Sequence, residues 1–161
     1  MTLTVLGRQG PQVQDGRGRS APQVRLFEVC IARVTPAGQQ PLAVADQRRP
    51  GQLRRVNCAL LGYWGLRPCI KTAELLLTEL ATNAFQHGEG DVTVTWRLDT
   101  VHLSILVRDG STTRPALRTA DSASERGRGL CLVEALADQW GVSDDGTTVH
   151  CSLALPDAAS A

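Results

Sequence analysis

Residues 79–88 read ELATNAFQHG, a helix-forming run in which Glu79, Asn83 and His87 recur at every fourth position. This spacing places the three polar side chains along one edge of a helix, beside its apolar face. Such an edge is commonly a solvated boundary. An asparagine this close to a core nevertheless needs hydrogen-bond partners, which a ligand or a metal ion could supply. His87, in the last turn, is typical of a residue that interacts favourably with the helix dipole.

The helix around this stretch is the best-defined element of the sequence. It is predicted to begin near Pro68, which suits a first helical turn, and to end at Gly88, a typical C′ glycine. An earlier helix is predicted over residues 51–64 from apolar residues at helical spacing. A later one follows from the stripe Leu130, Val133, Leu136, Ala137 and Trp140, with Gly141 as its end.

Alternation of apolar and polar residues predicts the strands. Residues 91–98 and 101–108 indicate a β-hairpin around Asp99-Thr100, with Val101 on its buried face. Residues 147–155 alternate as a final strand, and residues 24–34 favour an earlier strand, with 41–45 as the alternative. The sum predicts a two-layer α/β sandwich, in which helices cover one face of a mixed, mostly antiparallel sheet.

Length and composition predict one domain within the 161 residues. Residues 1–22 include a stretch rich in Gly, Gln, Arg and Pro, which predicts a flexible N-terminal segment. The domain is then expected over 23–155, followed by a frayed tail over 156–161.

Charge and cysteine content exclude several classes of protein. The net charge is +1, and Lys71 is the only lysine, so no basic field indicates direct nucleic-acid binding. No apolar run approaches the ~18 residues of a membrane span, and the N-terminus lacks the pattern of a signal peptide. The five scattered cysteines form no C-x-x-C pair, which is typical of reduced thiols. A cytoplasmic protein without a membrane partner is expected.

A glycine-containing stretch, SERGRGL at 124–130, directly precedes the third predicted helix. Glycines let the backbone approach an anion closely, and the N-terminus of a helix favours phosphate. Arg126 and Arg128 add cationic donors. A plain loop explains a single G-x-G equally well, and the stretch matches neither a P-loop nor a Rossmann motif.

A carboxylate, Asp109, lies in VRDGS at the end of a predicted strand. Asp-Gly usually marks only a turn. An ionised aspartate accepts hydrogen bonds but donates none, so Asp109 could bind the exocyclic amino group of adenine, where guanine presents an oxygen. It could therefore select ATP over GTP.

Taken in this order, the three motifs resemble those of the GHKL (Bergerat-fold, histidine-kinase-like) ATPases, most closely the stand-alone bacterial anti-sigma-factor serine/threonine kinases. The resemblance spans roughly residues 41–155. ELATNAFQHG resembles the N box, which implies Glu79 as general base and Asn83 as ligand of Mg²⁺. VRDGS resembles the box whose aspartate binds adenine, which implies Asp109.

The remaining motifs complete the resemblance. ERGRGLCLVEALADQWG, from residue 125, resembles the glycine box that forms the phosphate lid. Its nucleotide-binding residues would be Arg126, Gly127, Arg128, Gly129 and Leu130. GTTV at 146–149 resembles the closing Gly-Thr strand, so Thr147 or Thr148 would support the adenine pocket. The family pattern D-x-G-x-G requires glycines where this chain has Ser111 and Thr113.

The resemblance implies an ATP- and Mg²⁺-dependent protein serine kinase and anti-sigma factor. Its partners would be a sigma factor and an anti-sigma-factor antagonist, and a homodimer is also implied by the family. The alternative is an ATP-dependent protein-binding module in transcriptional regulation, with weak catalysis or none. A third hypothesis is a small α/β protein that binds no nucleotide.

Overall fold

The computed structural model describes residues 3–5, 8–9, 24–112 and 129–156. Its strands are β1 (Leu3–Val5), β2 (Arg8–Gln9), β3 (Arg25–Ile31), β4 (Val92–Leu98), β5 (His102–Arg108), β6 (Gln139–Val142) and β7 (Thr148–Ala154). Its helices are α1 (Val44–Gln47), α2 (Arg49–Tyr63), α3 (Ile70–His87) and α4 (Gly129–Leu136), with a 3₁₀ turn over Arg67–Cys69.

The strands form one sheet in the order β1-β3-β4-β5-β7-β6, and β2 also pairs with β3. Every strand pair in the described part of the chain is antiparallel. The helices bury the apolar side chains of this sheet in a single core, with Trp96, Phe85 and Leu80 among its largest members. The predicted two-layer fold, with helices on an antiparallel sheet, is confirmed.

Two short stretches of the segment 1–22 belong to this sheet. Leu3–Val5 pairs with Val29 to Ile31, and Arg8–Gln9 pairs with Arg25 and Leu26. The other residues of the segment, predicted to be flexible, lie outside the described residues, as do 157–161. The division of the chain after residues 22 and 155 stays a prediction.

The β4–β5 hairpin forms as predicted, but its turn is displaced by one residue. Leu98 lies opposite Leu103, so Thr100 and Val101 occupy the turn. Asp99 Oδ1 accepts hydrogen bonds from the backbone N–H groups of Val101 and His102, each at 2.8 Å. Because the aspartate side chain closes this turn, Val101 is 56% exposed and not on the buried face.

The first predicted helix is present, and it begins two residues earlier than expected, at Arg49. It follows directly on α1, whose first residue is Val44. Residues 41–45 are therefore not the alternative strand, since their last two residues begin a helix. The strand of this region is β3, which lies within the predicted range 24–34.

The third predicted helix is shorter than expected. It ends at Leu136, and Gln139–Val142 form the edge strand β6. Pairing with β7 outweighs the helical periodicity: Trp140 lies opposite Cys151, and Asp138 N–H donates to the carbonyl of Ser152 at 3.0 Å. Gly141 does not end the helix. It leaves room for the ring of His150, which would lie 2.9 Å from a Cβ at this position.

The central helix α3 ends at His87 as predicted, but Gly88 is not a left-handed C′ glycine. Its φ of −77° and ψ of 178° are extended values that other residues adopt. What requires glycine there is space, because a Cβ would lie 2.5 Å from both the Ala84 carbonyl oxygen and Asp109 Oδ2. No helix in the described residues is both long and apolar enough to cross a membrane.

Candidate functional site

The helix α3 presents Glu79 and Asn83 one turn apart, about 6 Å along its axis. The opposite arc of α3, which includes Ala73, Leu77 and Ala84, is fully buried against the sheet. Glu79 and Asn83 are half-buried, and their side chains form no hydrogen bond within the described part of the chain. Two polar side chains beside the core are thus left available to a ligand.

The Glu79 carboxylate lies directly against the first residue of α4. A Cβ on Gly129 would overlap Glu79 Oε2, so a larger residue there would have to displace the Glu79 carboxylate. Packing of α3 on α4 therefore brings the predicted base to the N-terminal end of the helix that follows the glycine stretch. The predicted residues Arg126, Gly127 and Arg128 lie outside the described residues. Leu130 is buried in the core, so it anchors α4 through packing.

Asp109 follows β5 and lies at the other end of the site, beside the C-terminal end of α3. Its backbone N–H donates to the carbonyl of Thr147 at 3.0 Å, which extends the β5–β7 pairing by one residue. Its Oδ1 accepts a hydrogen bond from the N–H of Ser111 at 2.7 Å, and its Oδ2 lies over Gly88. About nine residues of helix, or ~13 Å, separate this end from Glu79.

Burial raises the pKa of the Asp109 carboxyl above its ordinary value. The backbone N–H groups of Ser111 and Glu89 and the charge of Arg33 oppose this shift, whereas the charge of Glu89 adds to it. The carboxylate is therefore short of donors in its ionised form. A ligand that donates a hydrogen bond to it would relieve this deficit.

The two threonines of the GTTV stretch face opposite sides of the sheet. Val149, Cys151 and Leu153 point into the core, and the two-residue period of an extended strand places Thr147 on the same side. Thr148 lies on the other side, opposite Arg108. Thr147 is thus the one beside Asp109, and its hydroxyl donates to Asp145 Oδ1 at 2.9 Å.

Gly146 fixes the path of the chain past this end of the site. Its φ is +78°, and a Cβ there would lie 2.6 Å from the carbonyl oxygen of Thr112. Glycine is required at position 146 for two reasons. Few other residues adopt a positive φ, and a Cβ would overlap the Thr112 backbone. The turn before β7 and the loop after Asp109 are thereby packed on each other. Ser111, where the family pattern has glycine, is 8% exposed within this loop.

The sequence analysis missed Arg33, which lies between β3 and α1. Its guanidinium donates to the carbonyl oxygens of Ala84, Phe85 and Gly90. A single arginine in an irregular connection carries no local pattern, and its partners are more than 50 residues away in the chain. His87, by contrast, is exposed at the last residue of α3.

A separate cleft of about 790 Å³ opens on another side of α3. Residues between Leu42 and Arg55 line it together with Thr82, Phe85 and Gln86. Glu79, Asn83 and Asp109 are not among its lining residues, so it is no part of the candidate site.

The family model of the histidine kinase-like ATPase domain matches residues 43–153, which is more than half of the chain. The matched range contains α2, α3, the β4–β5 hairpin, α4 and β7 up to Leu153, and every predicted site residue lies within it. A comparison with the sequences of curated proteins gives no match. The chain belongs to the histidine kinase-like ATPase domain family.

Proposed function

We propose that this protein is an anti-sigma factor that phosphorylates a serine of its antagonist, with ATP as the phosphoryl donor and Mg²⁺ as the metal. Membership of the family implies ATP binding and a regulatory function. The contact that supports the proposal most directly is that of Glu79 Oε2 with Gly129. It joins the predicted general base to α4, the helix within the glycine box.

The residues present fit a nucleotide. Asp109 offers an acceptor whose backbone donors do not offset its burial, which suits the amino group of adenine. Gly88 lies against the Asp109 carboxylate and Gly129 against the Glu79 carboxylate. A Cβ at either position would overlap that carboxylate. Thr147 lies on the same side of the sheet as Asp109, next to it in the pairing. The adenine would therefore lie at the Asp109 end and the phosphates near Glu79 and α4.

The metal would depend on few protein ligands. No group of three His, Cys, Asp or Glu side chains that could hold a metal ion occurs among the described residues. Asn83, half-buried and one turn from Glu79, would supply one side-chain oxygen. Mg²⁺ commonly takes most of its remaining ligands from phosphates and water, and it would offset negative charge on the transferred group.

In the reaction, Glu79 accepts the proton of the serine hydroxyl while the serine oxygen attacks the γ-phosphorus; the bond from that phosphorus to the β,γ-bridging oxygen breaks, and ADP leaves. Its carboxylate is half-buried without a hydrogen bond in the described part of the chain, so it is available as an acceptor. Arg126 and Arg128, by their place in the glycine box, would offset charge on the phosphates. Phosphorylation of the antagonist then frees this protein to hold its sigma factor.

A nucleotide-dependent binding module with little catalysis is the second candidate. The packed loop that holds Ser111 favours it, because the family pattern has glycine there and a side chain at this position is buried. Both candidates require ATP binding at the same residues. They differ in whether Glu79 acts as a base.

Calorimetry and phosphate transfer separate the candidates. Wild type should bind ATP with Mg²⁺, and Asn83→Ala should lose most of the increase in affinity that Mg²⁺ provides. With a candidate antagonist, Glu79→Gln should lower transfer about 100-fold or more while ATP affinity changes little. Glu74→Gln, on the same helix but paired with Arg54 at 3.8 Å, is the matched control and should transfer normally.

The outcomes are distinct. ATP binding without transfer to any antagonist would favour the module. Transfer that Glu79→Gln leaves intact would refute Glu79 as the base. The absence of ATP binding by wild type would refute the ATP site itself.

A further inference from the structure

Arg33 makes more contacts with the end of α3 than a surface arginine normally does. Its Nη1 donates to the Phe85 carbonyl and its Nε to the Gly90 carbonyl, each at 3.0 Å, and its Nη2 donates to Ala84. Its Cζ also lies 5.9 Å from the centre of the Phe85 ring. The backbone N–H of Arg33 donates to Asp91 Oδ1 at 3.3 Å. One side chain thus joins the last turn of α3 to the loop that follows it.

The same carbonyl of Ala84 connects Arg33 to the site. This oxygen accepts the N–H of Gly88 at 2.9 Å as well as the guanidinium of Arg33. Gly88 in turn is the residue over which the Asp109 carboxylate lies. The position of Asp109 relative to α3 therefore depends on a turn that Arg33 holds.

Charge gives Arg33 a second effect on the site. The C-terminal end of a helix carries a partial negative charge, so a carboxylate is unfavourable there. Asp109 occupies such a position at the end of the 18-residue α3. Among the described residues, the charged groups that act on Asp109 are Arg33, which favours its ionised form, and Glu89, which opposes it. His87 at the end of α3 is exposed.

We propose that Arg33 is a positioning residue for the adenine end of the site. It holds the last turn of α3 and residues 88–90 beneath Asp109, and its charge keeps that carboxylate available as an acceptor. The inference rests on the proposed function only for the identity of the ligand. An arginine that merely capped the helix would affect stability but not the ionisation of Asp109.

The test uses the full chain in three variants. Arg33→Gln removes the charge, and Arg33→Lys keeps the charge but not the planar set of donors. Arg97→Gln removes an exposed arginine from β4 and is the matched control. The titration of the Asp109 carboxyl is followed by NMR in the ligand-free protein, with Asp109→Asn used to assign the signal. ATP affinity is measured by calorimetry at neutral pH.

In Arg33→Gln, Asp109 should titrate at a higher pH than in wild type, and ATP affinity should fall about fivefold or more. In Arg33→Lys, the titration of Asp109 should stay close to that of wild type. If Arg33→Gln does not fold, Arg33→Lys still provides a test of the inference. The inference would be overturned if Asp109 titrated at the same pH in Arg33→Gln as in wild type. It would also be overturned if Asp109 titrated at as high a pH in Arg33→Lys as in Arg33→Gln. If wild type binds no ATP, the proposed function fails, while the ligand-free titration still decides the role of Arg33.

Discussion

Asp46 and Asp109 are both withdrawn from solvent, yet their surroundings act on them in opposite directions. Asp46 is fully buried, and its carboxylate accepts hydrogen bonds from Val34 N–H, Thr35 N–H and the Thr35 hydroxyl. Burial acts to raise its pKa, but these hydrogen bonds and the charge of Arg49 hold the pKa of Asp46 below its ordinary value. For Asp109, burial prevails and the pKa is raised.

The two aspartates differ in how many hydrogen-bond donors the chain supplies to each carboxylate. Residues 34 and 35 donate enough hydrogen bonds to the Asp46 carboxylate to offset its burial. The charged carboxylate therefore stabilises the connection between β3 and α1. Around Asp109, the described residues provide only the backbone N–H donors of Ser111 and Glu89, which do not offset its burial, and Oδ2 lies over Gly88. A carboxylate whose burial is offset by donors of its own chain supports structure, whereas one with too few donors is suited to bind a ligand.

Replacing Asp46 should have the largest effect. Asp46→Asn substitutes an NH₂ group for one acceptor, so at least one of the buried donors of residues 34 and 35 loses its partner. We expect the free energy of unfolding to fall by about 3 kcal/mol, measured by urea denaturation. Asp91→Asn, an exposed aspartate, is the control and should cost much less. A loss no greater than that of the control would contradict the structural role of Asp46.

Asp109→Asn should produce the reverse pattern. The carboxamide cannot serve as a charged acceptor for an amino group, so ATP affinity should fall about 100-fold in calorimetry. Stability of the ligand-free protein should stay within about 0.5 kcal/mol or rise slightly, because the substitution removes a half-buried charge whose donors do not offset its burial. A strongly destabilised protein with normal ATP affinity would make Asp109 equivalent to Asp46.

Gly88→Ala tests the space beneath Asp109. The new Cβ would lie 2.5 Å from the Ala84 carbonyl oxygen, a backbone atom that cannot turn away. We expect a loss of about 2 kcal/mol in thermal or urea unfolding, together with weaker ATP binding. Gly62→Ala is the matched control, since a Cβ there meets nothing within 4 Å and alanine favours the helix. Equal stability of the two variants would contradict the close packing at Gly88.

The pH dependence of stability should separate the two aspartates with opposite sign. Because the pKa of Asp46 is lowered by folding, its contribution is present above the ordinary pKa and is lost as pH falls. The deficit of Asp46→Asn should therefore shrink in acid. Because the pKa of Asp109 is raised, wild type loses stability as pH rises from the ordinary pKa through the raised one. The stability of Asp109→Asn relative to wild type should grow over that range.

These shifts are the smallest of the expected effects, and thermal unfolding between about pH 3 and pH 7 measures them. Parallel curves for the two variants would show that the surroundings of Asp46 and Asp109 do not differ as described.

The sequence by itself determined most elements of the fold and predicted the candidate residues of the site. Alternation placed β4, β5 and β7, and helical spacing placed α2 and α3, because each pattern reports which side chains one element buries. Glu79 and Asn83 could be selected because four residues make one helical turn. The order of three motifs then indicated the family that the comparison confirms.

Only the tertiary structure decided what lies against what. Gln139–Val142 carry a helical stripe but form a strand, because β7 offers unpaired backbone groups beside them. Gly88 and Gly129 lie against carboxylates that arrive from distant parts of the chain. Arg33 reaches α3 across more than 50 residues. Such contacts depend on the meeting of elements in space, which no local pattern records.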